Sequence, residues 1–207
     1  MVTVLVHGAW STGEIWAAVR DELDGEVLTP TLPGCGPGGD VRTTLEDTVD
    51  GLLQIVAPLE DLTLVGHSWS ALVTWMASAR TSAVKHLLLV EPFEPSSGQA
   101  LVDAFDGDQR RSELAAIADH DGWWPPPTAQ ELAEDGTLAP ATADRLVRTL
   151  FPHPGRTVTD PVSGPLTLDE LNVVRLSSPG GDLATGHWPM ITAPAALAAW
   201  IHRQQRA

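Results

Sequence analysis

Mostly apolar runs, without strict alternation of apolar and polar residues, occur at three places along the chain, residues 2–6, 62–65 and 84–90. Strands of a parallel sheet are buried on both faces, so they appear in sequence as unbroken apolar runs rather than as alternating patterns. The three runs therefore predict buried parallel strands. Residues 26–29 and 171–176 predict two further strands.

Apolar residues at helical spacing separate these runs. Thr44, with Asp47 three positions later, is a candidate N-cap for one such helix. Parallel neighbours need a crossover connection, which is almost always a right-handed helix, so the alternation predicts a doubly wound α/β sheet. The predicted helices cover residues 12–23, 44–58, 70–79 and 192–202.

The segment 92–165 departs from this alternation. It has helical stretches separated by Pro and Gly and shows no convincing strand. Such a long stretch after a strand favours a helical cap folded over the carboxyl edge of the sheet. We expect one domain over residues 1–207 with this segment as an inserted cap region, because 207 residues of 43% hydrophobic composition suffice for one core.

Charge and cysteine content narrow the class of partner. The chain has 27 acidic and 12 basic residues and a net charge of −15, so nucleic acid and anionic membrane surfaces would be repelled. Cys35 is the only cysteine, and no internal disulfide can form. Residues 1–6 lack the features of a signal peptide and no apolar run approaches a membrane span, so we predict a cytoplasmic protein.

Gly-His-Ser-Trp-Ser at residues 66–70 joins a predicted strand to a predicted helix. A serine at the tip of such a sharp turn has a strained backbone and an exposed hydroxyl, and small residues flank it two positions away on each side. Ser70 stands where the usual form of this motif has glycine. The motif makes Ser68 the candidate nucleophile.

Two further motifs, Val-Leu-Val-His-Gly-Ala-Trp at residues 4–10 and Thr-Gly-His-Trp-Pro-Met at residues 185–190, complete a set. In this order the three motifs resemble the α/β-hydrolase superfamily, and within it the small esterase and hydroxynitrile-lyase-like branch. Loops 32–36 and 91–95 extend the resemblance. It implies an α/β-hydrolase fold with a mostly parallel sheet that lacks the two N-terminal edge strands.

The resemblance also implies roles for individual residues. His187 is the base that takes the proton of Ser68, and the backbone N–H groups of Ala9 and Trp69 form the oxyanion hole. The other histidines divide into two groups. His7 and His67 lie inside motifs, where we expect them to orient loops. The other four receive no role: His86, His120, His153 and His202.

The acid of the triad is less clearly marked. In most relatives it is an Asp after the penultimate strand, but here one strand-helix unit is missing before His187. Glu91 is the predicted replacement, because it follows the strand next to that of Ser68 and preserves the order Ser, acid, His. The alternatives are Asp182 and, more remotely, Asp160 and Asp169.

Taken together, the motifs predict a serine hydrolase that cleaves a small carboxylic ester, thioester or lactone through an acyl-enzyme, with no metal or organic cofactor. Two alternatives stay open: a lyase or cyclase using Ser68 and His187 for proton transfer, and a non-catalytic binding protein that has lost the acid. The substrate is expected to be a small molecule. Its predicted pocket is aromatic and is formed by Trp10, Trp123, Trp124 and Trp188.

Overall fold

The computed structural model describes residues 1–94, 96–134, 136–164, 166–168, 171–177 and 185–206. Its central sheet has five strands, and each neighbouring pair is parallel. This confirms the predicted α/β architecture. The strands are β1 (Thr3–Val6), β2 (Val27–Leu28), β3 (Leu62–His67), β4 (Val84–Val90) and β7 (Asn172–Leu176). They lie in the order β2-β1-β3-β4-β7.

The middle strand, β3, carries the functional turn. All six of its residues are buried, as its unbroken apolar run predicted. Val6 of β1 pairs with Gly66, and His67 pairs with Val90 of β4. The carboxyl ends of β1, β3 and β4 therefore lie side by side, and the residues that follow them meet at one edge of the sheet.

Helices cover both faces of the sheet. Thr44 caps one of them: its side chain accepts from the backbone N–H of Asp47, whose carboxylate accepts from the Thr44 N–H, as predicted. Separate clusters of buried apolar side chains lie on the two faces. The α-helices outside the segment 92–165 are α1 (Ala17–Arg20), α2 (Leu45–Val56), α3 (Ser70–Ser78), α8 (Pro189–Thr192) and α9 (Pro194–Gln204).

Two predicted helices differ in the structure. The first begins as a 3-10 turn, Gly13–Trp16, and continues as the single turn α1. The predicted helix over residues 192–202 falls in two helices, α8 and α9. The break lies at Ala193, whose φ is −151°, because Pro194 has no N–H to donate and disfavours helical backbone at the residue before it.

The segment 92–165 contains most of the remaining elements. Its helices are a 3-10 turn, Leu101–Ala104, with α4 (Gly107–Asp119), α5 (Ala129–Ala133), α6 (Pro140–Val147) and α7 (Arg156–Thr159). It also contains two short antiparallel strands, β5 (Trp123–Trp124) and β6 (His153–Pro154), so the expectation of a segment without strands was wrong. Two-residue strands that are distant in sequence leave no local pattern. Within the described ranges, no helix has the length and apolar character needed to cross a membrane.

Candidate active site

Ser68 lies at the sharp turn between β3 and α3. Its φ is +53°, a left-handed conformation that costs a non-glycine residue roughly 1–2 kcal/mol. The backbone N–H of Ser68 donates to the carbonyl of Val90 at 2.9 Å, which ties the turn to β4. The residue is only 6% exposed. A strained backbone conformation of this kind persists only where the surrounding structure enforces it, and such conformations are concentrated at functional sites.

The residues two positions from Ser68 are fixed by close contacts. A Cβ atom at Gly66 would lie 2.3 Å from Oγ1 of Thr74, so only glycine fits. Ser70 is fully buried, and its Oγ accepts from the His67 N–H at 2.9 Å and lies 3.0 Å from the carbonyl oxygens of Val6 and His67. The hydroxyl that distinguishes this motif from the usual form therefore bonds the turn to β1.

His187 reaches Ser68 from the chain segment before α8. Its Nε2 lies 3.0 Å from Oγ of Ser68, within the range of a hydrogen bond from the serine hydroxyl. The backbone carbonyl of His187 lies 2.8 Å from Nε2 of His67, the residue before Ser68. The structure thus brings together the two residues that the motifs assigned as nucleophile and base.

His67 is fully buried, and this determines its protonation. Burial, and to a smaller extent the neighbouring His187, lowers the pKa of His67 well below its usual value. The imidazole is therefore neutral and carries its proton on Nε2, from which it donates to the His187 carbonyl. A Cβ atom at Gly8 would lie 2.6 Å from Nδ1 of His67, so the glycine of the first motif leaves room for this ring.

The loop after β1 carries the predicted oxyanion donor Ala9, and the neighbouring Trp10 is held at several points. Trp10 has a φ of +60°, its N–H donates to Nδ1 of His153 over 3.4 Å, and its carbonyl accepts from the Phe151 N–H at 2.7 Å. Its indole N–H donates to the carbonyl of Trp124 at 3.2 Å. Residues of the segment 92–165 therefore fix the conformation of the loop beside Ala9.

His153 received no role from the sequence, yet it contacts both Trp10, the neighbour of Ala9, and Trp69. It is 1% exposed, and its ring meets the indole of Trp69 edge to face with centroids 4.3 Å apart. Burial lowers the pKa of His153 to about 3, so the ring is neutral. With Nδ1 accepting from Trp10, Nε2 carries the proton and donates to Oγ1 of Thr157 at 2.9 Å. No local sequence signal marks this residue, because its partners are distant in the chain.

Ser68 opens into a cavity of about 180 Å³. This volume is below the ~300–1,000 Å³ of pockets for drug-sized ligands, so it suits a small substrate group. Residues outside the segment 92–165 contribute one part of its wall: Ala9, Trp10, Ser68, Trp69 and His187. The segment 92–165 contributes Phe93, Leu101, Phe105, Gln109, Glu113 and Trp124.

Two of the four predicted pocket tryptophans line this cavity. Trp10 and Trp124 do so, with ring centroids 4.1 Å apart. Trp188 does not, because it is buried in the core with its ring centroid 5.4 Å from that of His67. Trp123 is half-buried, pairs with Pro154 in the small sheet and does not line the cavity either. The structure therefore places two of the four tryptophans in the cavity wall, one in the core and one in the small sheet.

The candidate acids lie in different settings. Glu91 follows β4 directly, has a φ of +48° and donates its N–H to the Leu176 carbonyl at 2.7 Å. Asp160 pairs with Arg156 at 3.2 Å in a groove beside Thr44, so its carboxylate is engaged elsewhere. Two other candidates, Asp169 and Asp182, lie outside the described residues. Glu91 therefore stays the predicted acid, at the end of the strand next to that of Ser68.

Several solved structures share this fold. An extracellular α/β-hydrolase from a Paenibacillus species, described as homologous in structure and function to tobacco salicylic acid binding protein 2, has a TM-score of 0.83 at 20% identity over 100% of both chains. A pyrethroid hydrolase from Sphingobium faniae has a TM-score of 0.72 at 18% identity, covering 100% of this chain and 98% of its own. A methylesterase from Arabidopsis has a TM-score of 0.71 at 15% identity, covering 98% of each chain.

Identities this low establish the fold rather than the reaction. No curated protein matches the sequence. A sequence model of the alpha/beta hydrolase family matches residues 3–200, which is nearly the whole chain. The chain therefore belongs to the alpha/beta hydrolase family.

Proposed function

We propose that this protein is a serine hydrolase that cleaves a small carboxylic ester, thioester or lactone through an acyl-enzyme on Ser68. The observation that carries the proposal is the 3.0 Å separation of His187 Nε2 and Ser68 Oγ at a strained turn above the sheet. A serine hydroxyl is a weak nucleophile at neutral pH, and a base at hydrogen-bond distance activates it. The family membership, and the compared structures named as a pyrethroid hydrolase and a methylesterase, support this reaction class.

Acylation begins when Oγ of Ser68 attacks the substrate carbonyl carbon and its proton moves to Nε2 of His187. The carbonyl oxygen gains negative charge, which the N–H groups of Ala9 and Trp69 stabilise in our proposal. Trp69 directly precedes α3, so the positive end of the helix dipole adds to this stabilisation. Loss of one such donor typically raises the barrier by ~3–4 kcal/mol.

Collapse of the tetrahedral intermediate breaks the bond to the leaving group. His187 returns its proton to the departing alkoxide or thiolate, and a water molecule, deprotonated by the same imidazole, then attacks the acyl carbon. Ser68 is released with its hydroxyl restored. The proposed steps use protein groups and water alone.

A burst experiment with p-nitrophenyl acetate tests the proposal. The native protein is expected to release one equivalent of nitrophenolate rapidly and then turn over at a slower steady rate, because with this activated ester deacylation is expected to be slower than acylation. Ser68→Ala is expected to abolish both phases. Ser82→Ala, an exposed serine at the opposite edge of the sheet, is the matched control and is expected to behave like the native protein.

The same experiment separates the alternatives. Trapping of an acetyl group on Ser68 would count against a lyase or cyclase that uses Ser68 only for proton transfer. Native protein that binds esters in the cavity but neither reacts nor turns over would overturn the proposal and favour the non-catalytic binding protein.

A further inference from the structure

Glu113 places one carboxylate in the wall of the cavity beside Ser68. The other side chains that the segment 92–165 contributes to this wall are apolar, aromatic or neutral. A carboxylate in such surroundings loses part of its hydration and gains most from a partner with positive charge. Its presence therefore bears on which substrates the site accepts.

The described residues provide no cation for Glu113. The two arginines of α4 serve other carboxylates: Arg110 pairs with Asp103 at 2.9 Å, and Arg111 pairs with Asp108. No ion pair joins Glu113 to a lysine or arginine of the described chain, and neither residue type lines the cavity. The carboxylate thus faces the cavity without a described counterion.

Among the described residues, one hydrogen bond orients the carboxylate. The indole N–H of Trp124 donates to Oε2 of Glu113 at 2.6 Å. Trp10 in turn holds Trp124, because the indole N–H of Trp10 donates to the backbone carbonyl of Trp124. These contacts hold the carboxylate and two indole rings in one wall of the cavity. A carboxylate combined with indole rings is a favourable setting for an ammonium group, because aromatic faces attract cations.

We propose that the cavity selects substrates that carry a compact ammonium group, either a quaternary ammonium or a protonated amine, and that Glu113 binds this group. The proposal rests on the proposed ester hydrolysis for its substrate class. The net charge of −15 acts in the same direction, because it concentrates cations near the protein and repels anionic esters. The cavity of about 180 Å³ limits the ammonium group to a small one.

Two esters of the same shape test the charge preference: acetylcholine and 3,3-dimethylbutyl acetate, in which carbon replaces the charged nitrogen. For the native protein, kcat/KM is expected to favour acetylcholine by about tenfold or more. In Glu113→Gln, which keeps the size and loses the charge, this ratio is expected to fall towards one. Asp119→Asn is the matched control, because it removes one exposed negative charge from the same helix, and it is expected to keep the native ratio.

A binding measurement separates failure of this proposal from failure of the hydrolase proposal. Choline and 3,3-dimethylbutanol are titrated against the intrinsic fluorescence, to which Trp10 and Trp124 contribute from the cavity wall. Tighter binding of choline, lost in Glu113→Gln, would support the cation site even if neither ester were hydrolysed. Equal kcat/KM for both esters, or no preference for choline in binding, would overturn the cation site and leave the hydrolase proposal standing on Ser68.

Discussion

The backbone carbonyl of His187 accepts a hydrogen bond from Nε2 of His67, with the two atoms 2.8 Å apart. The bond links the residue before the proposed nucleophile to the residue proposed as its base. His67 is buried and neutral, so the donor stays protonated on Nε2 throughout the range in which the enzyme is expected to work. The separation of Ser68 and His187 therefore depends on a third residue that takes no part in bond making.

Replacement of His67 tests this dependence. His67→Phe keeps a ring and removes the donor, so the segment that carries His187 loses its tether, and kcat/KM for p-nitrophenyl acetate is expected to fall by about 10²-fold. His67→Gln retains an amide N–H at the corresponding reach and is expected to recover part of this loss. Equal activity of His67→Phe and the native protein would show that the tether has no effect on the base.

His153 leads to a second prediction, for the oxyanion loop. His153→Ala removes the acceptor of the Trp10 N–H and the ring that packs on Trp69, so both proposed donors lose support. We expect kcat to fall by about 10-fold to 100-fold with KM changed little, because the donors act mainly in the transition state. His153→Asn, whose Oδ1 replaces Nδ1 as the acceptor, is expected to recover part of kcat. A change confined to KM would contradict this assignment.

Buried imidazoles predict how stability depends on pH. Burial lowers the pKa of His7 to about 4 and that of His153 to about 3, and it also lowers that of His67. Below about pH 6.5 the unfolded chain binds protons that the folded chain excludes, so the free energy of unfolding decreases as pH falls from about 6.5 towards 4. With three such imidazoles, the free energy of unfolding changes by roughly 4 kcal/mol per pH unit where its dependence on pH is steepest.

Urea unfolding near pH 7, 6 and 5 measures this slope. His153→Asn is expected to reduce it to about two thirds, because one of the three excluded protons is removed. A free energy of unfolding that stays constant between about pH 6.5 and pH 5 would contradict the neutral, buried state of these rings.

The triad acid is tested by two amide substitutions compared side by side. Glu91→Gln is expected to lower kcat strongly, by up to about 10⁴-fold, while the protein stays folded, because the acid orients the base and stabilises its protonated form. Asp182→Asn is expected to have a small effect. The opposite result, a large loss in Asp182→Asn and near-native activity in Glu91→Gln, would transfer the role to Asp182.

Local sequence pattern predicted the central part of the fold. The runs that became β1, β3 and β4 are mostly apolar because most of their residues are buried on both faces of the sheet, and the turn at Ser68 is marked by its own small residues. In each case the signal lies within a few residues of the element that it predicts. The pairing of Ser68 with His187 came from the order of motifs that resemble one family.

The parts that escaped prediction depend on contacts distant in sequence. The strand pair Trp123–Trp124 and His153–Pro154 has two residues on each side, too few to show a period. Glu113 looks like any other polar residue of a largely polar helix until Trp124 is placed against it. His153 gains its role through Trp10 and Trp69, which belong to two other loops. Such roles follow from tertiary packing, which single-sequence patterns do not encode.

The most direct test of the account is the intact mass of the protein after exposure to a fluorophosphonate, measured for the native chain, for Ser68→Ala and for His187→Ala. An activated serine is expected to form one phosphonyl adduct in the native protein, none in Ser68→Ala, and adduct only very slowly in His187→Ala because the base is missing. Folded native protein that forms no adduct, or an adduct that persists at the same rate in Ser68→Ala, would contradict the central claim that Ser68 is a nucleophile activated by His187.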